Sequence, residues 1–351
     1  MLGELRPHAP EWEAARAFPR EVFARCAAEG WLGLKYPDRY GGTDRGYVAD
    51  AVWIEELSRC GSGGLAAGIG AHVGIATPPV WKFGTEEQKQ RWLAPAIRGE
   101  KIGALAITEP DAGSDVAAVR THARRVDGGW LVNGSKTFIT NGVRADFYVT
   151  AVRTRPEGGH HALTFLVIER GEGVSARPLE KLGWHASDTA ELAFADVYVP
   201  DEHRLGDEGR GFQLIMANFQ WERLAMALGA VGSMRATLER VIAFAAERKL
   251  GQAARHTLAE QATRAEAGTA MTYHALRRFL DGRDAVREVT MAKLATQRAS
   301  FELQDACLQL VMEAGVRDAD LERAARDSRL GPIGGGTDEI MREILARGMG
   351  L

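Results

Sequence analysis

The chain has 351 residues, 45% of them hydrophobic and 26% charged, with a net charge of −3. That is enough apolar content for a large core spread over two or three domains. A near-balanced charge without a basic run argues against nucleic acid as a partner. Cys26, Cys60 and Cys307 are scattered and odd in number, which fits reduced thiols in a cytoplasmic protein and not a disulfide framework. The start shows no signal-peptide pattern. The weakly polar run Leu65–Trp81 is Gly-rich and holds His72 and two prolines. A membrane span needs ~20 strongly apolar residues, so this run predicts a buried helix or helix-loop. The histidines are dispersed and form no metal-binding pair.

Residues 1–103 read as helices. Apolar residues at helical spacing (Phe18, Val22, Phe23, Cys26) predict a helix over Trp12–Gly30 that stops at the glycine. Tyr36–Gly42 is a turn region and Tyr47–Cys60 another helix. Thr85-Glu-Glu-Gln88 is a capping box opening a helix over Glu86–Ile97.

Residues 104–203 alternate with period two and are rich in Val, Phe and Thr, notably at Phe147–Val152, Leu163–Ile168 and Ala190–Val199. They predict an antiparallel sheet domain in the form of a small barrel. Two stretches in it point to a ligand. In Ala104–Asp115, a short apolar run enters a turn broken by Pro110 and Gly113, with Thr108, Ser114 and Asp115 as polar groups. Such a loop offers N–H groups and hydroxyls to something flat or anionic, although an ordinary capped acidic turn has the same composition. In Trp130–Gly142, two strands are expected on either side of an Asn133-Gly134 hairpin turn.

From 204 onward the chain reads as long helices with few turn signals, consistent with a four-helix bundle. After Gly211, the positions Phe212, Ile215, Phe219, Glu222 and Met226 form one stripe that is apolar except for Glu222. A carboxylate on a core-facing stripe is uncommon unless paired or functional. Arg223 points about 100° round the helix and is a poor partner for it. Desolvation would raise the Glu222 pKa towards the working range of a general base. Pairing with an arginine from another helix is the alternative.

Thr-Glu-Pro-x-Ala-Gly-Ser-Asp at 108–115, followed by Asn-Gly-Ser-Lys-x-Phe-Ile-Thr-Asn at 133–141, resembles the flavin-binding middle domain of the acyl-CoA dehydrogenase family. Lys181–Pro200, with Asp188-Thr-Ala-Glu-Leu192, and Gly209-Arg-Gly-Phe212 resemble it too. The resemblance implies an α+β fold: an N-terminal α-helical domain over 1–103, a central β-barrel-like domain over 104–203 and a C-terminal helical bundle over 204–351. It also implies one more N-terminal helix than this chain carries. The implied cofactor is FAD, with Thr108, Ser114, Phe138 and Thr140 lining the isoalloxazine. Leu105, Ile107, Gly113, Ile139, Arg248, Gln261, Gln309, Gly336, Thr337 and Glu339 are further cofactor contacts by resemblance. Ser114, Trp221, Arg223 and Gly335 are implied on the substrate side. An aromatic at 138 has a physical reason, since its ring can stack on a flavin.

Many members of that family carry the catalytic base in a C-terminal Tyr-Glu-Gly-Thr motif. Here Gly335 stands at that place and cannot serve. Gln220-Trp-Glu-Arg223 matches the subgroup, including long-chain and isovaleryl enzymes, that keeps the base on the earlier helix. Glu222 is therefore the expected base for abstracting the proton alpha to a thioester. The implied reaction converts an acyl-CoA to a trans-2-enoyl-CoA and passes electrons to an electron-transfer flavoprotein. The match is poorer over 249–320: Glu247-Arg-Lys-Leu-Gly251 is one residue short, and a family Gly-Gly pair after Gln309 is replaced by Leu-Val-Met-Glu-Ala-Gly315. In the family these patches often serve the FAD of a neighbouring subunit, so a homotetramer or homodimer is expected. A half-active partner subunit in a heteromer, a dehydrogenase of carrier-protein thioesters, and a metal hydrolase using Glu109, Asp111 and Asp115 are the rival readings.

Overall fold

The computed structural model describes residues 2–351. The first part is helical: α1 (Leu2–Leu5), α2 (Ala9–Ala15), α3 (Glu21–Ala28), α4 (Gly46–Leu57), α5 (Gly63–Ala71), α6 (Thr77–Phe83), α7 (Glu86–Gln88) and α8 (Ala94–Ile97). The single helix expected over Trp12–Gly30 is two. Arg16 turns left-handed at φ 56° and closes α2, Pro19 follows, and α3 starts afresh before Gly30 ends it at φ 76°. The apolar spacing was real, but the residue before a proline resists helical geometry. The Thr85 capping box forms in full.

Two helical runs contain a π-turn, His72–Ala76 before α6 and Lys89–Leu93 before α8. Each lies just upstream of proline: Pro78-Pro79 in one run and Pro95 in the other. Proline has no N–H to give the carbonyl four residues earlier, and side chains take up such carbonyls. Asn218 Nδ2 donates to Ile75 O at 3.3 Å, and Lys101 Nζ to Arg91 O at 3.4 Å. Within the first of these turns His72 is fully buried. Its Nε2 bonds Ala96 O and its Nδ1 accepts from Gly103 N, both at 3.0 Å. Burial pushes its pKa down to about 4, so the ring is neutral and acts as a brace between helices and sheet.

The sheet has eight strands: β1 (Gly103–Ala106), β2 (His122–Val126), β3 (Gly129–Ile139), β4 (Phe147–Arg153), β5 (Leu163–Glu169), β6 (Val174–Pro178), β7 (Ala190–Pro200) and β8 (Arg204–Leu205). Their order is β6-β7-β3-β2-β4-β5-β8, with β1 parallel to β4 and a single parallel β2–β4 pair; every other pairing is antiparallel. Alternation along β4 serves two cores. Phe147, Val149 and Ala151 face the helices, beside Val80, Trp92 and Ile215, while Tyr148 and Val152 face Trp130, Leu166 and Phe194.

The hairpin expected at Asn133-Gly134 is not there. β3 runs unbroken through both residues, and the β2–β3 hairpin turns six residues earlier, at Asp127-Gly128. Gly134 marks a bulge against β7 and sits so close to Thr121 that a Cβ would lie 2.6 Å from its Cα. The glycine answers a close backbone approach, a use that cannot be told from a turn by composition.

One buried ion pair ties the loop after β1 to β3. Lys136, 0% exposed, donates from Nζ to Ile107 O and Glu109 Oε1, each at 2.9 Å. Glu109 also accepts from Arg120 N at 2.6 Å and Thr121 N at 2.8 Å. Burial pushes Lys136 down to about 8; it pushes Glu109 up, but Lys136 and the two N–H groups outweigh it and hold that carboxyl below its usual range.

The C-terminal part consists of α9 (Gly211–Glu247), α10 (Gln252–Leu280), α11 (Val286–Glu313), α12 (Ala319–Ser328) and α13 (Asp338–Gly348). The three long helices pack on one another, α12 and α13 dock on α11, and α9 also leans on α4. There Gly232 is pressed against the Glu55 backbone.

Removing one member of a buried pair leaves an unpaired charge. Lys136→Met should therefore lower stability by about 3–5 kcal/mol in urea unfolding. Lys136→Met combined with Glu109→Gln should lose clearly less than the single change.

Candidate active site

The base expected from sequence lies where α9 meets the turn before α13. Glu222 is 9% exposed and its Oε2 has no hydrogen-bond partner among the described residues. Burial pushes its pKa up to about 7, against the opposing pull of Arg223 and Lys293. Arg223 does not pair with it: Nε donates instead to Gly335 O at 3.2 Å. The alternative of an arginine reaching Glu222 from another helix is not what forms. Two helical turns of α9 face this turn, through Glu222 and Met226. A Cβ on Gly335, at φ 63°, would collide with Met226 Sδ and lie 3.8 Å from Glu222 Oε1. A side chain at 335 and the present packing of α9 exclude each other.

Gly336 continues the turn at φ 98°. Its carbonyl accepts from Lys293 Nζ at 2.6 Å. Thr337 caps α13 through its hydroxyl, which accepts from Ile340 N, while Glu339 is exposed on the first turn. Lys293 was not singled out from sequence. It is 0% exposed in the middle of α11, and a lone lysine among Met291, Ala292 and Leu294 was its only signal.

A second group sits on the sheet domain. Thr108 O accepts from Thr137 N at 2.9 Å, which lays the loop after β1 alongside β3. Gly113 and Ser114 are exposed at the crest of that loop, and Thr108 and Thr140 are half-buried. Phe138 is 69% exposed and left-handed at φ 59°, inside the irregular stretch between Lys136 and Ile139 where β3 slips against β7. A bulky residue with positive φ is strained, and here the strain turns an aromatic face into solvent. Directly beyond it, Asn141 Nδ2 donates to Gly68 O at 2.7 Å and docks this rim on α5.

Other expected contacts point elsewhere. The side chains of Ile107 and Ile139 belong to the cores and leave only their backbone for a ligand. Leu105 packs against the first of these cores. Trp221, 1% exposed, is wedged between Tyr47 and Phe279. Arg248, Gln261 and Gln309 gather at the other end of the bundle. Gln261 is buried between Leu258 and Ala265, whereas Arg248 and Gln309 are exposed. Twenty-six residues of one helical run separate Glu222 from Arg248, about 39 Å at 1.5 Å per residue.

The three carboxylates of the metal-hydrolase reading have other work. Glu109 is bound by Lys136 and two N–H groups, Asp111 pairs with Arg120 at 3.2 Å, and Asp115 accepts from Ala117 N at 3.1 Å. Among the described residues no cluster of three metal-ligating side chains occurs.

The geometry suits a flavin and a thioester: an exposed, strained aromatic beside a hydroxyl-bearing loop, and an unpartnered buried carboxylate beside a glycine turn. Comparison with known proteins agrees. The N-terminal, middle and C-terminal domains of acyl-CoA dehydrogenase match residues 1–100, 104–197 and 209–350. An acyl-CoA dehydrogenase of Bacillus subtilis is 34% identical over 98% of this chain and 93% of its own length. The long-chain specific acyl-CoA dehydrogenase of Mus musculus is 34% identical over 98% of this chain and 82% of its own. The solved FAD complex of PigA superposes with a TM-score of 0.95 at 27% identity, over 100% of this chain and 94% of that one. The chain belongs to the acyl-CoA dehydrogenase family of flavin-dependent oxidoreductases.

Proposed function

We propose that this protein dehydrogenates an acyl-CoA thioester between its α and β carbons, with Glu222 as the base and an electron-transfer flavoprotein as acceptor. The observation that carries this reading is the buried Glu222 with one free carboxylate oxygen beside Gly335. An acyl thioester is a weak carbon acid, so a base working near neutrality needs a pKa close to the ambient pH. Burial brings Glu222 to about 7. Its free Oε2 takes the α proton, and with no side chain at 335 Met226 packs against the turn and nothing from 335 covers the carboxylate.

FAD, when bound, supplies the acceptor for the hydride leaving the β carbon. This chain's part is to hold and shield. Phe138 offers a ring face for stacking, Thr108, Ser114 and Thr140 offer hydroxyls, and the Lys136–Glu109 pair fixes the loop that carries the first two. Arg248, Gln261 and Gln309 lie too far along α9 and its neighbours to share that site within one subunit. We assign them to the cofactor of an adjoining copy in a homo-oligomer. Motif placement, with Glu222-Arg223 and Gly335-Gly-Thr-Asp-Glu, favours a substrate of the long-chain or branched class.

Anaerobic mixing of the FAD-loaded protein with acyl-CoAs of graded length should bleach the flavin for at least one of them. Glu222→Gln should keep FAD and lose the bleaching; turnover at the original rate in that variant would rule Glu222 out.

The pH dependence has two faces. In wild type, kcat/KM should rise through about 7 as Glu222 ionises. Stability runs the other way. A carboxyl whose folded pKa exceeds its unfolded value binds more protons when folded, so its contribution is complete below the unfolded value and is lost as pH rises through the folded one. Glu222→Gln should therefore melt higher than wild type at pH 8, by a few kcal/mol in equivalent stability, and near wild type at pH 4.

Phe138→Gly should relieve the left-handed strain and stabilise the cofactor-free protein slightly, while weakening FAD binding by roughly tenfold, the worth of one aromatic stack. Differential scanning calorimetry and FAD titration would read the two effects.

A further inference from the structure

Lys293 has no part in the chemistry described so far, yet it is the most deeply buried cation at the C-terminal site. It is 0% exposed, rises from the middle of α11 and, among the described residues, makes one hydrogen bond, Nζ to Gly336 O at 2.6 Å. The neighbouring carbonyl, Gly335 O, accepts from Arg223 Nε at 3.2 Å. Two successive carbonyls of one glycine turn are thus held by cations from two different helices. Both glycines are left-handed, at φ 63° and φ 98°. Nothing in a Gly-Gly-Gly sequence selects that conformation, because glycine visits many others at little cost. The two cations hold it from the carbonyl side, and Gly334 N and Asp338 N, bonded to Leu330 O and Pro332 O at 2.9 Å, brace its two ends.

We propose that Lys293 is a positioning residue: it pins the Gly334–Gly336 turn beneath Glu222 and supplies the positive charge that lets this buried carboxylate ionise. The proposal rests on the reading of Glu222 as the base. A carboxylate in an apolar site with no contact partner must either stay protonated or be balanced at a distance. A cation touching Glu222 would balance it but would also occupy the oxygen that must accept a proton. Lys293 avoids this by spending its hydrogen bond on the turn, one residue away from the position facing Glu222.

The surrounding charges are few enough to name. On α9 there is Arg223, which shares the work. On α11, Arg298 is committed to Asp338. On α13, Asp338 is 1% exposed and paired with Arg298, Glu339 lies exposed, and Arg342 sits 3.9 Å from Asp338. Asp338 faces Lys293 and helps keep it charged despite burial, which draws the lysine down to about 8. Lys293 and Arg223 are thus the two cations felt by Glu222, and Lys293 reaches it from a separate helix.

The test separates the charge from the hydrogen bond. Lys293→Gln keeps a donor for Gly336 O and removes the charge; Lys293→Arg keeps both. Carboxyl infrared titration of the full chain, without substrate, would assign the Glu222 band by its absence in Glu222→Gln. The band should titrate near 7 in wild type and in Lys293→Arg, and roughly one pH unit higher in Lys293→Gln. With an acyl-CoA that turns over, the acid limb of kcat/KM should move by the same amount in the glutamine variant. An unmoved band in a folded Lys293→Gln protein, or a shift equally large in Lys293→Arg, overturns the proposal. So does the lack of a Glu222 band titrating in this range in wild type. If the band moves as stated but wild type oxidises no acyl thioester, the assigned reaction is wrong and the hold of Lys293 on Glu222 stands.

Discussion

A carboxylate that is out of water and still has an oxygen free sets the terms for the whole C-terminal half. Taking a charge out of water costs several kcal/mol unless something compensates, and a direct salt bridge would silence a base. The fold resolves this by compensating from one step away. Arg223 and Lys293 attach to the carbonyls of Gly335 and Gly336, and their fields reach Glu222 although their hydrogen bonds do not. The glycine turn then serves on two counts: it offers adjacent carbonyls to two cations, and its bare Gly335 lets Met226 pack where a Cβ would otherwise lie. α9 is held in place to match, with Asn218, one turn before Glu222, bonded to the Ile75 carbonyl of the π-turn ahead of Pro78-Pro79.

The sheet domain meets a similar demand with different means. The loop after β1 holds little regular structure beyond a 3-10 turn at Val116–Ala118, and a buried lysine from β3 reaches through to bind its carbonyl and carboxylate. The same strand then slips register and forces Phe138 into a left-handed conformation with its ring in solvent. Strained backbone and an exposed aromatic are both unfavourable in an empty protein. A flat ligand stacked on the ring, as we propose for the flavin, would offset part of that cost.

Much of this could be read from the residues. The capping box at Thr85, the strands at 147–152, 163–168 and 190–199, and the odd carboxylate on the α9 stripe follow from periodicity and chemistry, and each is where it was expected. What failed has a common cause. Asn133-Gly134 has the composition of a turn, but the glycine is needed because a Cβ there would lie 2.6 Å from Thr121 Cα, a contact with the segment just before β2. The break at Arg16–Arg20 is local, yet the apolar spacing across it satisfies a continuous helix. Lys293 was hidden for the opposite reason: its meaning lies in a turn 43 residues away. Local pattern specifies elements well, and it is silent about groups that meet only after folding.

That silence is deepest for the far end of α9. One 37-residue helix carries Glu222 in its first third and delivers Arg248 at its C-cap. A straight rod cannot bend both ends to the same ligand. On our proposal that Arg248, Gln261 and Gln309 serve a cofactor, that cofactor lies about 39 Å along α9 from Glu222. On the same proposal the glycine turn serves the thioester of its own subunit and the distal patch the cofactor of an adjoining copy. Changes in the distal patch, where the family pattern weakens most, would then alter cofactor retention through assembly while leaving the proton chemistry at Glu222 untouched.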